Sequence, residues 1–210
     1  MKKIHYINYG TAKTATSWIW HSLIASTEID YKLIKEPKLS LCDDFSEYKK
    51  FFSSYNISLN FQPNLWKLDL WQLMQLSNLA THTSIIFRNP YSYANSLYNF
   101  WKSFGLIANS KNFVNDFKIY FDYLNILQRL PKNILVLYFD DIQVDQQKTL
   151  DTITSFIDIH HVKAIGHSLN KTFYNENLNF SSDDITLINT YIDKFQDYTK
   201  KDVSHWKINV

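Results

Sequence analysis

The chain has 210 residues, a formal net charge of +2 and one cysteine, Cys42. That length suits one domain with a sizeable core, here taken as 1–210, while the weak charge argues against a nucleic-acid partner and the lone cysteine against a disulfide scaffold or thiolate zinc site. No run approaches the ~20 apolar residues of a membrane helix, and the N-terminus lacks a signal peptide's apolar segment, so the expectation is a soluble, cytoplasmic protein.

Ile4-His5-Tyr6-Ile7-Asn8-Tyr9 is β-rich and reads as a strand. Gly10-Thr11-Ala12-Lys13-Thr14-Ala15-Thr16 follows as a small-residue turn, and Ser17 to Ile24 reads as a helix. A strand, a turn carrying one lysine and a helix start make an anion site, because the free N–H groups and positive dipole end of the helix face the turn. A Walker A loop needs four residues between its first Gly and a Gly-Lys pair. Here only Thr11 and Ala12 separate Gly10 from Lys13, and no Gly precedes the lysine. The loop is phosphate-binding in style without the spelling of a nucleoside triphosphatase.

Further along, Tyr31 to Ile34 is a short strand candidate ending at Lys35-Glu36-Pro37-Lys38, and Phe45 to Phe52 has helical character. Ile57 to Leu59 is a brief strand before Pro63, and Leu65 to Leu79 carries helical periodicity. Ser84 to Phe87 is a buried strand. Asn89-Pro90 then opens a helix, with Asn as N-cap, Pro at the first helical position and an inward stripe of Tyr91, Ala94, Tyr98 and Trp101. Phe113, Phe117, Tyr120, Leu124 and Leu127 mark a second long helix, and Pro131-Lys132-Asn133 turns into the apolar strand Ile134 to Tyr138. Leu150, Ile153 and Ile157 mark another helix, and Ser181 or Ser182 opens the last, with Ile185, Ile188, Ile192 and Phe195.

Strands separated by helices argue an α/β fold with three layers: a mostly parallel central sheet of about five strands, flanked by helices. In such sheets ligands sit at the carboxyl ends of the strands. By that rule Lys13 follows strand one, Glu36 strand two and Asn60 strand three, while Arg88 ends strand four and Asp140 strand five. His82 falls at the opposite edge, and His82, His160 and His161 read as structural or surface residues. Arg88 leaves its strand where a guanidinium fork can grip a phosphate. Ser96 lies about two turns into the next helix and reaches the same ligand if that ligand lies along the helix. Two anion sites, at Lys13 and Arg88, imply a ligand with two separated anionic groups.

These residues resemble the sulfotransferases that use 3′-phosphoadenosine 5′-phosphosulfate (PAPS). Lys13-Thr14-Ala15-Thr16-Ser17-Trp18 resembles the family's 5′-phosphosulfate loop, and Arg88 and Ser96, in their Arg-Asn-Pro context, resemble its 3′-phosphate motif. Asn133 to Ile142 followed by Thr149 to Ile157 is similar to the family's late strand, acidic turn and helix. The resemblance spans roughly residues 4–160, in order, and implies the P-loop NTPase-like sulfotransferase fold. It also implies an enzyme that transfers a sulfuryl group from PAPS, without a metal, to a hydroxyl or amine of a small-molecule or glycan acceptor. In that scheme Lys13 stabilises the leaving phosphate oxygen, Thr14, Ala15, Thr16 and Ser17 hold the 5′-phosphate, and Arg88 and Ser96 hold the 3′-phosphate.

Lys35-Glu36-Pro37-Lys38 is similar to the stretch that supplies a glutamate base in carbohydrate sulfotransferases, so the likeness is closer to these than to the cytosolic phenol type and implies Glu36 as base. Asn170-Lys171-Thr172-Phe173-Tyr174 resembles the carbohydrate enzymes' Lys-Gly-Phe-Tyr loop and implies a cofactor contact by Lys171. The sequence departs from the pattern at Ala15, where the family has Gly, at Asn60, where related enzymes carry an acid, and at Phe139, which replaces a Tyr. If position 15 needs a positive φ, Ala costs roughly 1–2 kcal/mol there. Two alternatives stand beside this reading. A P-loop-type kinase predicts a magnesium-dependent response to ATP; a catalytically silent nucleotide-binding module predicts indifference to Lys13→Ala and Glu36→Gln.

Overall fold

The computed structural model describes residues 4–10, 14–25, 32–35, 46, 50, 57–62, 69–106, 110–130, 133–160, 162–165 and 177–209. Its elements in chain order are β1 (Ile4–Tyr9), α1 (Thr16–Ile24), β2 (Lys32–Lys35), β3 (Ile57–Gln62), α2 (Leu70–Leu79), β4 (His82–Phe87), α3 (Pro90–Lys102), α4 (Ser110–Leu127), β5 (Ile134–Tyr138), α5 (Phe139–Val144), α6 (Gln146–Ile157) and α7 (Ser182–Thr199), with a 3₁₀ turn at Ser204–Trp206. The chain forms two compact units that interleave in sequence: Met1–Phe87 with Ile126–Leu169, and Arg88–Asn125 with Asn170–Val210.

The first unit holds the sheet. Its five strands run parallel in the order β2-β3-β1-β4-β5. β1 lies at the centre, and all six of its residues are buried. A strand covered on both faces has no polar edge to show, which is why Ile4 to Tyr9 reads as a nearly continuous apolar and aromatic run. Successive side chains alternate between faces. On one face Ile4 and Tyr6 of β1, Ile86 of β4 and Leu137 of β5 pack with Trp18, Ile19 and Leu23 of α1 and Leu150, Ile153 and Ile157 of α6. On the other, the Tyr9 hydroxyl meets Ser77 Oγ of α2 at 3.0 Å. Helices therefore cover both faces of this sheet. Leu150, Ile153 and Ile157 are fully buried, and each such aliphatic side chain contributes ~1.5–3 kcal/mol.

The second unit is helical and aromatic. Trp101 of α3 meets Phe113 of α4 with ring centroids 5.6 Å apart, Phe121 of α4 meets Phe195 of α7 at 6.1 Å, and Phe195 stacks on Trp206 at 5.7 Å. The Tyr91 hydroxyl donates to Asn189 Oδ1 at 3.1 Å, joining α3 to α7, and burial pushes its pKa up to about 12.

Several boundaries differ from the expectations. β3 runs on to Gln62 and β4 starts at His82. α2 starts at Leu70 because Asp69 and Gln72 form a reciprocal capping box, a signal the apolar periodicity alone does not carry. The buried side of α3 includes Tyr93 and Leu97 beside Tyr91 and Ala94, while Tyr98 and Trp101 are half-buried. The acidic turn after β5 is the short helix α5. Ser181 is the residue that caps α7, through Asp184. The helix expected over Phe45 to Phe52 lies outside the described residues apart from Ser46 and Lys50.

Candidate functional site

The strand order places β1 beside β4 and sends β2 and β3 to the other side of β1, so the order reverses between β1 and β4. In open parallel sheets, ligands bind outside the carboxyl ends of the strands at such a switch point. β1 ends at Tyr9 and pairs with β4 up to Ile85, and β4 continues to Phe87. The segment after Tyr9 enters α1, and the residue after Phe87 is Arg88.

The entry to α1 has an unusual backbone. Ala15, its N-cap, sits at φ 66, ψ 12, in the left-handed region, and as an alanine it makes no side-chain cap bond. The first intrahelical bond runs from Ile19 N to Ala15 O at 3.1 Å. The N–H groups of the first turn, on Thr16, Ser17 and Trp18, therefore precede the helix's own hydrogen-bond ladder. Four other helices close this end with a side chain, while α5, entered from Tyr138, has no side-chain cap either. Asp69 caps α2, Asn89 caps α3, Asp145 caps α6 and Ser181 caps α7. Among the described non-glycine residues, positive φ occurs at Ala15, Asp158 and Lys200. Asp158 and Lys200 terminate α6 and α7, where a left-handed residue is an ordinary stop. Ala15 instead opens a helix, and a left-handed alanine costs roughly 1–2 kcal/mol. Backbone strain of this kind concentrates at ligand-binding turns.

The frame beneath this turn is rigid. Thr14 and Thr16 are 2% and 4% exposed, and Ser17 is half-buried. Trp18 packs in the core and donates from Nε1 to Ile165 O at 3.1 Å. Gln147 of α6 holds the same late segment, donating to Val162 O at 2.9 Å and accepting from Ala164 N at 2.8 Å. Under the loop, Asn8 Nδ2 donates to Ser84 Oγ at 2.6 Å, and Ser84 Oγ also meets the Tyr6 hydroxyl at 2.6 Å. Asn8 Oδ1 is buried without a hydrogen-bond partner among the described residues. Burial pushes the Tyr6 and Tyr9 phenols well above the ordinary range, so both stay neutral at physiological pH.

The second unit supplies a separate constellation on α3. Asn89 Oδ1 accepts from Tyr91 N at 3.0 Å and Ser92 N at 3.2 Å, so this helix start is closed. Arg88, 8% exposed, donates from Nε to Ser92 Oγ at 3.0 Å. Ser96 is one turn further along the same side and 2% exposed. Ser92 and Ser96 thus lie one turn apart along α3, with Arg88 bonded to the first of them. Asn95 Oδ1 accepts from Leu178 N at 2.7 Å, which ties the chain beyond residue 177 to this helix.

Of the residues singled out from sequence, Thr14, Ala15, Thr16 and Ser17 occur together at the start of α1, while Arg88 precedes the N-cap of α3 and Ser96 lies within that helix. Lys13, Glu36 and Lys171 lie outside the described residues. Asn60 lies inside β3, opposite Ile7 of β1, and not after the strand. Asp140 lies in the first turn of α5, directly after β5. His82 begins β4, at the amino end of the strand, with Nδ1 2.8 Å from Thr81 Oγ1 and its ring against Phe156. Sequence reasoning missed Ser92, although its spacing of four from Arg88 was a readable signal, and Asn8, whose polar character inside a buried strand was the clue.

No family model matches the sequence, and no curated protein sequence matches it. The structure is similar to that of a sulfotransferase from Alicyclobacillus acidocaldarius, with a TM-score of 0.65 and 12% identity over 98% of this chain and 99% of that one. It is also similar to mouse sulfotransferase SULT7A1 in complex with PAP, with a TM-score of 0.55 and 14% identity over 98% of this chain and 68% of that one. At these identities the likeness shows the fold, a parallel α/β sheet flanked by helices like that of a sulfotransferase.

Proposed function

We propose that this chain, acting as one 1–210 domain, is a PAPS-dependent sulfotransferase that sulfates a hydroxyl or amine, with carbohydrate acceptors favoured over phenols. The observation that carries the reading is the entry to α1: a helix start whose N-cap is a left-handed alanine with no capping side chain of its own, after the central strand. First-turn amides and the positive end of the helix dipole at such a start favour an anion. The sulfotransferase-like fold supports it, as does the mouse neighbour's PAP complex.

On this reading the first-turn amides of α1 and the hydroxyls of Thr14, Thr16 and Ser17 hold the 5′-phosphate. Lys13 neutralises charge on the bridging oxygen as the S–O bond to that phosphate breaks. Arg88 and Ser96 hold the 3′-phosphate, and Lys171 adds a contact to the nucleotide. Glu36 takes the acceptor's proton as its oxygen or nitrogen bonds to sulfur, and 3′-phosphoadenosine 5′-phosphate (PAP) leaves. The transition state is loose and in line, so positioning and charge supply the catalysis, and no metal is required.

The test is transfer from labelled PAPS to a panel of glycans, amines and phenols in the presence of EDTA. Product with the wild-type chain, and a loss of at least ~10²-fold with Lys13→Ala or Glu36→Gln, is the expected result. Undiminished transfer by both variants would remove their assigned roles, and no transfer to any acceptor would remove the reading of an active enzyme.

A further inference from the structure

We infer that Asn8 is a binding residue in the floor of the anion site: when an oxyanion occupies the entry to α1, the Asn8 amide presents Nδ2 to it and Oδ1 to Ser84. The inference rests on the reading of that entry as the 5′-phosphate site and adds a residue to it.

The place of Asn8 is set by the sheet. It is the last residue but one of β1 and lies opposite Ser84 of β4. These two strands flank the point where the strand order reverses, so the bond between the two side chains spans the crevice at which ligands of open parallel sheets bind. Side chains of a strand alternate between faces, which puts Asn8 on the same face as Ile4 and Tyr6. On that face Trp18, Ile19 and Leu23 of α1 pack, with Ala15 against the same cluster. α1 follows β1 and so begins at the carboxyl end of the strand. Asn8 therefore lies beneath the start of α1.

Its chemistry follows from an incomplete hydrogen-bond set. Asn8 is fully buried. With Nδ2 toward Ser84 Oγ at 2.6 Å, Oδ1 has no hydrogen-bond partner among the described residues. Turning the amide over exchanges its two ends, and the separation from Ser84 suits the exchange. O–H···O bonds span about 2.5–3.0 Å, whereas N–H···O bonds span about 2.7–3.2 Å. In the turned form Ser84 donates to Asn8 Oδ1, and Ser84 Oγ accepts from the Tyr6 hydroxyl, 2.6 Å away. The hydrogen bonds then run in one direction, and the end left over is Nδ2, with two hydrogens to give. A buried amide without an acceptor is unfavourable, and an oxyanion at the helix start supplies one. Oδ1 in the same place would repel that anion, so the ligand selects the turned form.

The experiment measures binding of PAP, and of adenosine 3′-phosphate, which lacks the 5′-phosphate, to the wild-type chain, Asn8→Leu, Ser84→Ala and the Asn8→Leu/Ser84→Ala double variant. Asn8→Leu nearly keeps the side chain's volume. It should weaken PAP on the order of tenfold, the scale of one hydrogen bond to a charged group, while changing adenosine 3′-phosphate less than about twofold. Ser84→Ala removes the hydroxyl that holds Oδ1 and should weaken PAP by a smaller factor. In the Asn8→Leu background, Ser84→Ala should have no further effect on PAP. A second readout needs no variant. In ¹³C,¹⁵N-labelled wild-type protein the Nδ2 hydrogens, assigned through Asn8 Cγ, should shift and exchange more slowly on addition of PAP, and should not respond to adenosine 3′-phosphate.

An equal loss for both nucleotides in Asn8→Leu would mark Asn8 as merely structural and overturn the inference. So would PAP affinity indifferent to Asn8→Leu, or Nδ2 hydrogens that bound PAP leaves unmoved. A wild-type chain that binds no PAP would overturn the underlying reading instead. Inorganic pyrophosphate would then decide: a shift of the Asn8 Nδ2 hydrogens would support the contact between Asn8 and an anion, and their indifference would overturn it.

Discussion

Replacing Asn89 by alanine isolates what a side-chain cap contributes to α3. Asn89 Oδ1 accepts from two first-turn amides, Tyr91 N at 3.0 Å and Ser92 N at 3.2 Å. Its backbone carbonyl accepts from Tyr93 N at 2.8 Å, and the substitution leaves that bond in place. Pro90 at the first helical position still presets the backbone, so α3 should keep its register. The expected cost is therefore that of a lost side-chain cap, about 1 kcal/mol and at most about 2. For a chain of 210 residues each kcal/mol lowers Tm by roughly 2–4 °C. Urea unfolding followed by circular dichroism, with an unchanged m-value, is the assay. Asn89→Ser and Asn89→Asp supply a cap of the same kind and should recover most of the loss. A loss under about 0.3 kcal/mol, or a serine variant no better than alanine, would refute the account of how α3 begins.

Two other perturbations follow from the same geometry. Ala15→Val places a β-branched residue at φ 66, where it is disfavoured far more than alanine, and should cost at least ~1 kcal/mol in chemical unfolding. Ala15→Gly should stay within ~1 kcal/mol of wild type, because relief of strain is offset by a freer unfolded chain; the reverse order of the two variants would contradict the left-handed backbone. Tyr6 and Tyr9, whose folded-state pKa values are raised by burial, contribute to the pH dependence beside the less buried Tyr91. Both remain protonated in the folded chain while the unfolded phenols ionise near pH 10, so their contribution is fully present below that pH and is lost as the pH rises above it. Stability should fall by up to ~1.4 kcal/mol per pH unit per tyrosine above pH ~10, and Tyr9→Phe should remove about one such increment. An unchanged slope in Tyr9→Phe would show that its phenol does not titrate in the way its burial implies.

The sequence made the sheet legible because each strand of the first unit carries its own signal. Ile4 to Tyr9 and Ile134 to Tyr138 are apolar runs bounded by turn residues, and β4 is bounded by Asn89-Pro90. The start of α3 was equally plain, since Asn89 and Pro90 are side-chain signals for a cap. The start of α2 was not, because its capping box lies behind a longer stretch of apolar periodicity. The site was legible in its residue types and not in its backbone. Lysine, threonines and serine after a strand announce an anion, but nothing in the letters says whether Ala15 is helical or left-handed; that is decided by how β1 and α1 pack through Tyr6, Trp18 and Ile19. Ser92 was overlooked for a related reason. Serine in a helix is ordinary, and its meaning appears when Arg88 Nε is found on it. The pairing of Asn8 with Ser84 is likewise a matter of strand register, in which these two residues lie opposite each other.

The most direct measurement of the central claim is the thermal stability of the wild-type chain titrated with PAP in EDTA. Saturation to about 100 times Kd should stabilise the folded state by ~2.7 kcal/mol, or roughly 5–10 °C for a chain of this size, with a much smaller shift for adenosine 5′-phosphate. An unmoved Tm with PAP, or a shift obtained with ATP and magnesium instead, would contradict the account.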